Sequence, residues 1–142
     1  MNHYCLGFAF YPGSDSVALI HKLKPDWQAG KLNGIGGRLE DGELPKTAMS
    51  REFEEEAGVR IPPTEWVLFL IMKFSNAVIF CYAAESYSVG AVYSRTPETV
   101  QLVPRTRFME MGTPAIPNLA WLIPMAFSSL RNPGPVPTVN YE

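Results

Sequence analysis

The sequence predicts an α+β fold in which a mixed β-sheet packs against helices. Three observations carry this. Short apolar runs bounded by turn residues recur on both sides of residues 45–57, a segment of helical character. Taken along the chain, the segments read β, β, β, α, β, β, β, α, which mixes hairpins with helices. The length, 142 residues, suits one domain with a real core.

Residues 4–11 are aromatic and aliphatic and read as a strand. Pro12-Gly13-Ser14-Asp15 turns the chain, and residues 16–23 read as a second strand, so 4–23 is a hairpin. Residues 24–30 form a loop. Residues 32–39 hold Gly34, Gly36 and Gly37, too many glycines for a helix. Residues 45–57 read as a helix, with Pro45 in the tolerated first turn and Gly58 just past the end. Pro62-Pro63 blocks any continuation. Residues 66–74 and 77–85 read as strands around Ser75-Asn76, and 98–103 as a short strand. Residues 118–130 read as a second helix, with a late start or a kink expected at Pro124. Residues 132–142 contain three prolines and are expected to fray, which leaves residues 1–131 as the domain.

Composition excludes several functions. The net charge of -2 leaves no basic excess to hold a nucleic acid or an anionic membrane. The longest apolar runs, 67–72 and 77–84, are too short to span a bilayer as a helix. Residues 1–4 lack a basic signal-peptide region, so a cytoplasmic protein is expected. Cys5 and Cys81 form no zinc or disulfide framework and read as two buried thiols. Gly-x-Ser-x-Gly, His-Glu-x-x-His and Walker A motifs are absent, and His3 and His21 offer little for a histidine triad.

The acidic residues are unevenly spread: seven of fourteen lie between Glu40 and Glu56. At about 100° per residue, Glu52, Glu55 and Glu56 share one helix face within an arc of roughly 100°. Met49, Phe53 and Ala57 form a narrow core stripe beside it, and Glu54 points away from both. Like charges at this spacing repel, and they lie toward the helix C-terminus, the unfavourable end for negative charge. A hard divalent cation would offset the repulsion. The alternative is a solvated acidic face. Gly34-Ile35-Gly36-Gly37 sets bare backbone just before the acidic segment, a suitable place for a metal-bound polyphosphate.

Gly37, five residues, Glu43, seven residues, then Arg51-Glu52-Phe53-Glu54-Glu55-Glu56-Ala57-Gly58-Val59 resembles the Nudix box, G-x5-E-x7-R-E-U-x-E-E-x-G-U, where U is a bulky apolar residue. Every specified position over the 23 residues 37–59 is met. The resemblance implies an α/β/α sandwich and hydrolysis of a nucleoside diphosphate linked to another moiety. It implies Glu55 and Glu56 as principal metal ligands, with the Gly37 carbonyl as a further one. Glu52 would be a metal ligand or the base that activates water, Arg51 would orient a site carboxylate, and Glu43 would join the same network. Mg²⁺ is the implied metal, with Mn²⁺ able to stand in. Some members place one more acidic ligand late in the chain; Glu98 is the candidate here, with Glu85 second.

Residues 27–37, Trp27 to Gly37, are similar to the stretch leading into the box of MutT-type and 8-oxo-dGTP-cleaning hydrolases. That likeness implies base contacts from Asn33 and Trp27, with Gly36 and Arg38 also binding substrate. Asn33 reads otherwise as a turn residue, and Trp27 as a loop anchor. Residues 117–124 resemble the segment closing the base pocket in that group, but Asn118 and Leu119 stand where mammalian-type enzymes carry an acidic pair. Asn118 still offers a donor and an acceptor to a base edge. Trp121 reads as core. The expected activity is Mg²⁺-dependent hydrolysis of a (deoxy)nucleoside triphosphate to the monophosphate and pyrophosphate, with oxidised purine nucleotides as one substrate class. The alternatives are another diphosphate derivative (a dinucleoside polyphosphate, nucleotide sugar or ADP-ribose) and a non-catalytic nucleotide-binding module. The expected partner is the nucleotide substrate, with neither a nucleic acid polymer nor a membrane.

Overall fold

The computed structural model describes residues 1–141. Its elements are β1 (Asn2–Phe10), β2 (Ser16–His21), β3 (Leu32–Asn33), β4 (Ile35–Arg38), α1 (Pro45–Ala57), β5 (Val67–Lys73), β6 (Ala77–Glu85), β7 (Thr99–Pro104), α2 (Leu119–Arg131) and β8 (Thr138–Asn140). The strands form one mixed sheet of order β3-β2-β1-β6-β5-β8, with β4 also paired to β1 and β7 to β2. One helix lies on each face.

Strand alternation assigns the two faces. Cys5, Ala9, Ala18, Ile20, Ile35 and Tyr82 meet the buried stripe Met49, Phe53 and Ala57 of α1. Phe8, Phe10, Leu19, Cys81 and Ala83 meet Leu119, Leu122, Ile123 and Ala126 of α2. The two thiols are buried and belong to clusters on opposite faces of the sheet.

Strand β1 organises the sheet. It runs parallel to β6 over its whole length, from Asn2 opposite Ala77 to Phe10 opposite Glu85. Its other side is shared. Ala9 and Phe10 pair with β2, while Tyr4 to Gly7 pair with β4. The chain crosses from the β2 side to the β1 side at Gly34, where an added Cβ would lie 2.9 Å from the Phe8 ring and 3.0 Å from the Gly7 oxygen. This fork is where the glycine run sits.

Helix α1 has the bounds expected from Pro45 and Gly58. Gly58 ends it at φ 75°, the left-handed conformation that favours glycine. Helix α2 runs through Pro124 as one element, so no break follows the proline. Ala120, whose carbonyl loses its usual i+4 donor there, is exposed along with Pro124. The expected strand over 4–11 begins earlier, at Asn2, because β6 offers it a partner along its full length.

The expectation of fraying over residues 132–142 is corrected for residues 138–141; Glu142 lies outside the described residues. Thr138–Asn140 pairs in parallel with Ile71–Lys73 of β5, and Val139 and Tyr141 pack on the α2-side core. The cause is tertiary: β5 would otherwise present its outer edge unpaired. Among the described residues no helix is long and apolar enough to cross a membrane.

Phe53 is fully buried and meets Trp66 edge to face at 5.5 Å between centroids. Phe53→Ala is expected to lower the unfolding free energy by about 3–5 kcal/mol, read from urea denaturation midpoints.

Candidate active site

Helix α1 presents Arg51, Glu52, Glu55 and Glu56 beside the bare backbone of β4. The approach is close. A Cβ on Gly37 would lie 2.5–2.6 Å from the Glu52 carboxyl atoms, and one on Gly36 would fall on the Cys5 carbonyl. These two glycines let the Glu52 carboxylate rest on β4 and let β4 close on β1. The Cys5 thiol points at the Gly37 carbonyl at 3.6 Å.

Arg51 is the hub. Its Nε and Nη2 donate to the two Glu43 oxygens, each at 2.8 Å. Its Nη1 donates to Glu52 at 3.0 Å and to Glu55 at 3.3 Å, and its Nη2 reaches the Arg38 carbonyl at 3.3 Å. The hydrogen bonds from Arg51 hold the Glu43 carboxyl below the usual carboxylate range. Burial raises Glu52 above that range, against the pull of Arg51.

Glu56 has no such partner. Its Oε2 is buried without a hydrogen bond to any described residue. Burial pushes its pKa up to about 7; Lys22 opposes the shift, while Glu52, Glu98 and Glu55 add to it.

A cleft of about 600 Å³ opens on the other side of the glycine run. Gly34, Gly36 and Gly37 border it at one end. Trp27, Asn33 and Asn118 line it together with apolar Leu6, Met72, Phe74, Ile79 and Ile116. Such a volume and lining suit a small organic ligand.

The family follows from the sequence that builds this site: the Nudix domain matches residues 2–115. The chain belongs to the Nudix family. Nudix hydrolases cleave phosphoric anhydrides. Two solved structures share the fold. One comes from a study of MutT from Aliivibrio salmonicida and Vibrio cholerae; it superposes with a TM-score of 0.72 at 21% identity, covering 87% of this chain and 97% of that one. The other is the mutator MutT protein of Bacillus halodurans, with a TM-score of 0.66 at 19% identity, covering 87% of this chain and 80% of that one.

The Nudix box residues fit a hard divalent cation in one specific sense. Among the described residues, no three His, Cys, Asp or Glu side chains converge as a ready cage. Mg²⁺ does not need one, since it binds through one or two carboxylates and fills its shell with water and substrate phosphate. The buried, partnerless Glu56 Oε2 is the oxygen whose cost such an ion would remove.

The structure brings Gly37, Glu43, Arg51, Glu52, Glu55 and Glu56 together as one cluster. It separates Glu85, which pairs with Arg131 at 2.9 Å. Glu85 stands opposite Phe10 on β1 whereas Gly37 stands opposite Cys5, about 17 Å away along the strand. Glu98 is buried, and both its oxygens are engaged. Oε1 accepts from Lys22 Nζ at 2.9 Å, and Oε2 accepts from the Leu23 and Lys24 amides at 2.7 and 3.4 Å. As a metal ligand it would have to exchange these partners. Burial alone would raise its pKa, but the Leu23 amide, the Lys22 ammonium and the Lys24 amide outweigh burial and lower it.

Asn33 donates to Gln28 Oε1 at 2.9 Å and accepts the Gly34 amide at 2.8 Å, so it shapes the turn while lining the cleft. Trp27 is 62% exposed and also lines the cleft. The Asn118 Oδ1 is buried without a partner among the described residues. Arg38 is exposed beside the glycines. Trp121, expected in the core, is 39% exposed, because Leu119, Leu122 and Ile123 take the inward face of α2. Lys22, Gln28, Met72, Phe74 and Ile79 escaped sequence reasoning. For Met72 and Phe74 a signal existed: they alternate with exposed Lys73, placing them on the face of Leu70.

Two outcomes are expected. Gly37→Ala pushes the Glu52 carboxyl aside and lowers kcat by roughly a hundredfold with little change in melting temperature, read by steady-state assay and calorimetry. The depressed Glu98 pKa contributes stability that is present above its unfolded value of 4.5 and lost as pH falls through its lower folded value. The fall in stability from pH 5 toward pH 3 is therefore shallower in Glu98→Gln, measured by denaturant titration at each pH.

Proposed function

We propose that this Nudix hydrolase cleaves a (deoxy)nucleoside triphosphate to the monophosphate and pyrophosphate, with Mg²⁺, and that oxidised purine nucleotides are among its substrates. The observation that carries the reading is the shared glycine backbone: Gly36 and Gly37 border the cleft, and Gly37 also underlies the Glu52 carboxylate. A nucleotide whose base lies in the cleft would pass its phosphates across this bare backbone to α1. Water attacks a phosphorus, the bridging anhydride bond breaks, and the monophosphate and pyrophosphate leave. The two MutT structures share the fold on which this reading builds.

In this reading Glu55, Glu56 and the Gly37 carbonyl would hold the metal, with Glu52 as a further ligand or as the base for water. When bound, such an ion would supply neutralisation of phosphate charge and acidification of water. Arg51 orients Glu52 and Glu43 through its hydrogen bonds and favours the ionised form of Glu43. Arg38 and the Gly36 amide face the phosphates. Glu98, through Lys22 and the 22–24 backbone, steadies the loop leading to Trp27, and exchange of those partners would free it for the metal. Trp27 presents an indole face to a purine, and Asn33 and Asn118 offer amides to its edge. The free Asn118 oxygen suits a base N–H donor.

The deciding assay incubates the protein with millimolar Mg²⁺ and normal or oxidised dNTPs, ADP-ribose, diadenosine polyphosphates, a nucleotide sugar or NADH, with products separated by chromatography. Triphosphates are expected to turn over fastest, releasing pyrophosphate. Faster turnover of another compound reassigns the substrate, and nucleotide binding without any turnover rejects catalysis. Glu56→Gln is expected to reduce kcat at least a hundredfold and to abolish the rise in melting temperature on adding Mg²⁺. Full activity in that variant rejects the metal assignment. Asn33→Ala is expected to raise KM for purine triphosphates about tenfold, and for pyrimidine ones less.

A further inference from the structure

We propose that the C-terminal strand is a positioning element for the cleft, with Tyr141 setting the Phe74 ring that forms part of its wall. This rests on the reading that the cleft receives a nucleobase. Phe74 lines the cleft, and Tyr141 does not. The Tyr141 ring stacks on Phe74 at 4.7 Å between centroids and 8° between planes. Tyr141 therefore supports the ring from outside the cleft.

The backbone makes this support specific. Phe74 is the last residue before the Ser75-Asn76 turn, and its N–H donates to the Ala77 carbonyl at 2.8 Å. That bond sets the backbone but leaves the side chain free to change rotamer. Strand β8 removes the freedom. The Ile71 N–H donates to Pro137 at 3.0 Å, and the Tyr141 N–H donates to Lys73 at 2.7 Å. The register places Thr138, Met72's partner Val139, and Asn140 alongside Ile71–Lys73, so Tyr141 arrives level with Phe74. Pro133, Pro135 and Pro137 restrict the approach to extended conformations and so reduce the entropy lost on docking. A stack that holds an aromatic wall would act on base affinity and leave the distant carboxylates of α1 unaffected. Tyr141 is a positioning residue, acting through Phe74.

The test compares Tyr141→Ala, Tyr141→Leu, Tyr141→Phe and Phe74→Ala in the full chain. Two readouts are needed: Kd for a purine nucleoside triphosphate without divalent metal, by calorimetry, and KM and kcat with Mg²⁺. Melting temperature is recorded for each. Tyr141→Ala is expected to raise Kd and KM about threefold to tenfold with kcat within about twofold of the parent. Tyr141→Phe should restore parental values, since the stack needs the ring and not the hydroxyl. Tyr141→Leu keeps apolar bulk, so a raised Kd in this variant at parental melting temperature separates ring positioning from general stability. The proposal is overturned if Phe74→Ala raises Kd while neither Tyr141→Ala nor Tyr141→Leu does, or if the Tyr141 variants lower kcat with unchanged KM. If Phe74→Ala also leaves Kd unchanged, or the parent protein binds no nucleotide, the nucleobase reading of the cleft falls and this inference falls with it.

Discussion

The close approach of β4 to β1 on one side and to α1 on the other governs the molecule. A sheet strand ordinarily carries side chains on both faces, but at Gly36 and Gly37 neither face has room. The gap left by the missing Cβ atoms is filled by the Cys5 backbone and the Glu52 carboxyl. That fit brings a negatively charged helix face against main chain, and leaves the same main chain bordering an amide-lined cleft. Two chemically different environments, apolar on the α2 side and anionic on the α1 side, thus meet across two residues.

The electrostatics answer the problem posed by the acidic run. Three carboxylates on one face near a helix C-terminus need compensation, and Arg51 supplies part of it internally through Glu43, Glu52 and Glu55. The compensation is uneven. Glu43 is stabilised as an anion, and Glu52 is pushed the other way by burial. Glu56 is left buried with one oxygen unpartnered. A structural acidic face would pair or solvate all its members. Here one carboxylate oxygen, Oε2 of Glu56, is buried without a partner among the described residues, and burial raises that carboxyl's pKa.

The loops show the same economy of means on the cleft side. Glu98 ties the start of β7 to the loop after β2, which carries Trp27 and Gln28 toward Asn33. At the C-terminal end of α1, the 93–95 segment gives its amides to the Ala57 and Glu56 carbonyls. Helix end, loop and cleft are therefore held by one continuous stretch, residues 93–98. The β8 strand does a similar service for the β5 edge.

Local rules sufficed where one segment contains its own stop signals. Pro45 and Gly58 bracket α1, and the Ser75-Asn76 turn brackets β6, because those residues restrict or permit particular backbone angles regardless of surroundings. The spacing of Gly37, Glu43, Arg51, Glu52, Glu55 and Glu56 identified the family for the same reason: a helix converts fixed spacing into a shared face. Pairing between distant segments was not legible. Residues 138–140 read as tail because prolines precede them, and only the open edge of β5 makes them a strand. Trp121 read as core because it is large and apolar, yet the helix phase is decided by which face Leu119, Leu122 and Ile123 present to the sheet. Glu98 read as the candidate late metal ligand, but Lys22 and the Leu23 amide, more than seventy residues away in sequence, engage its oxygens. The sequence by itself determined the family, the acidic helix α1 and the carboxylates that share its face. The tertiary structure decided which of those carboxylates is paired, which is left with an unpartnered oxygen, and what walls the cleft. The reason is that charge compensation and burial depend on neighbours brought in from elsewhere in the chain.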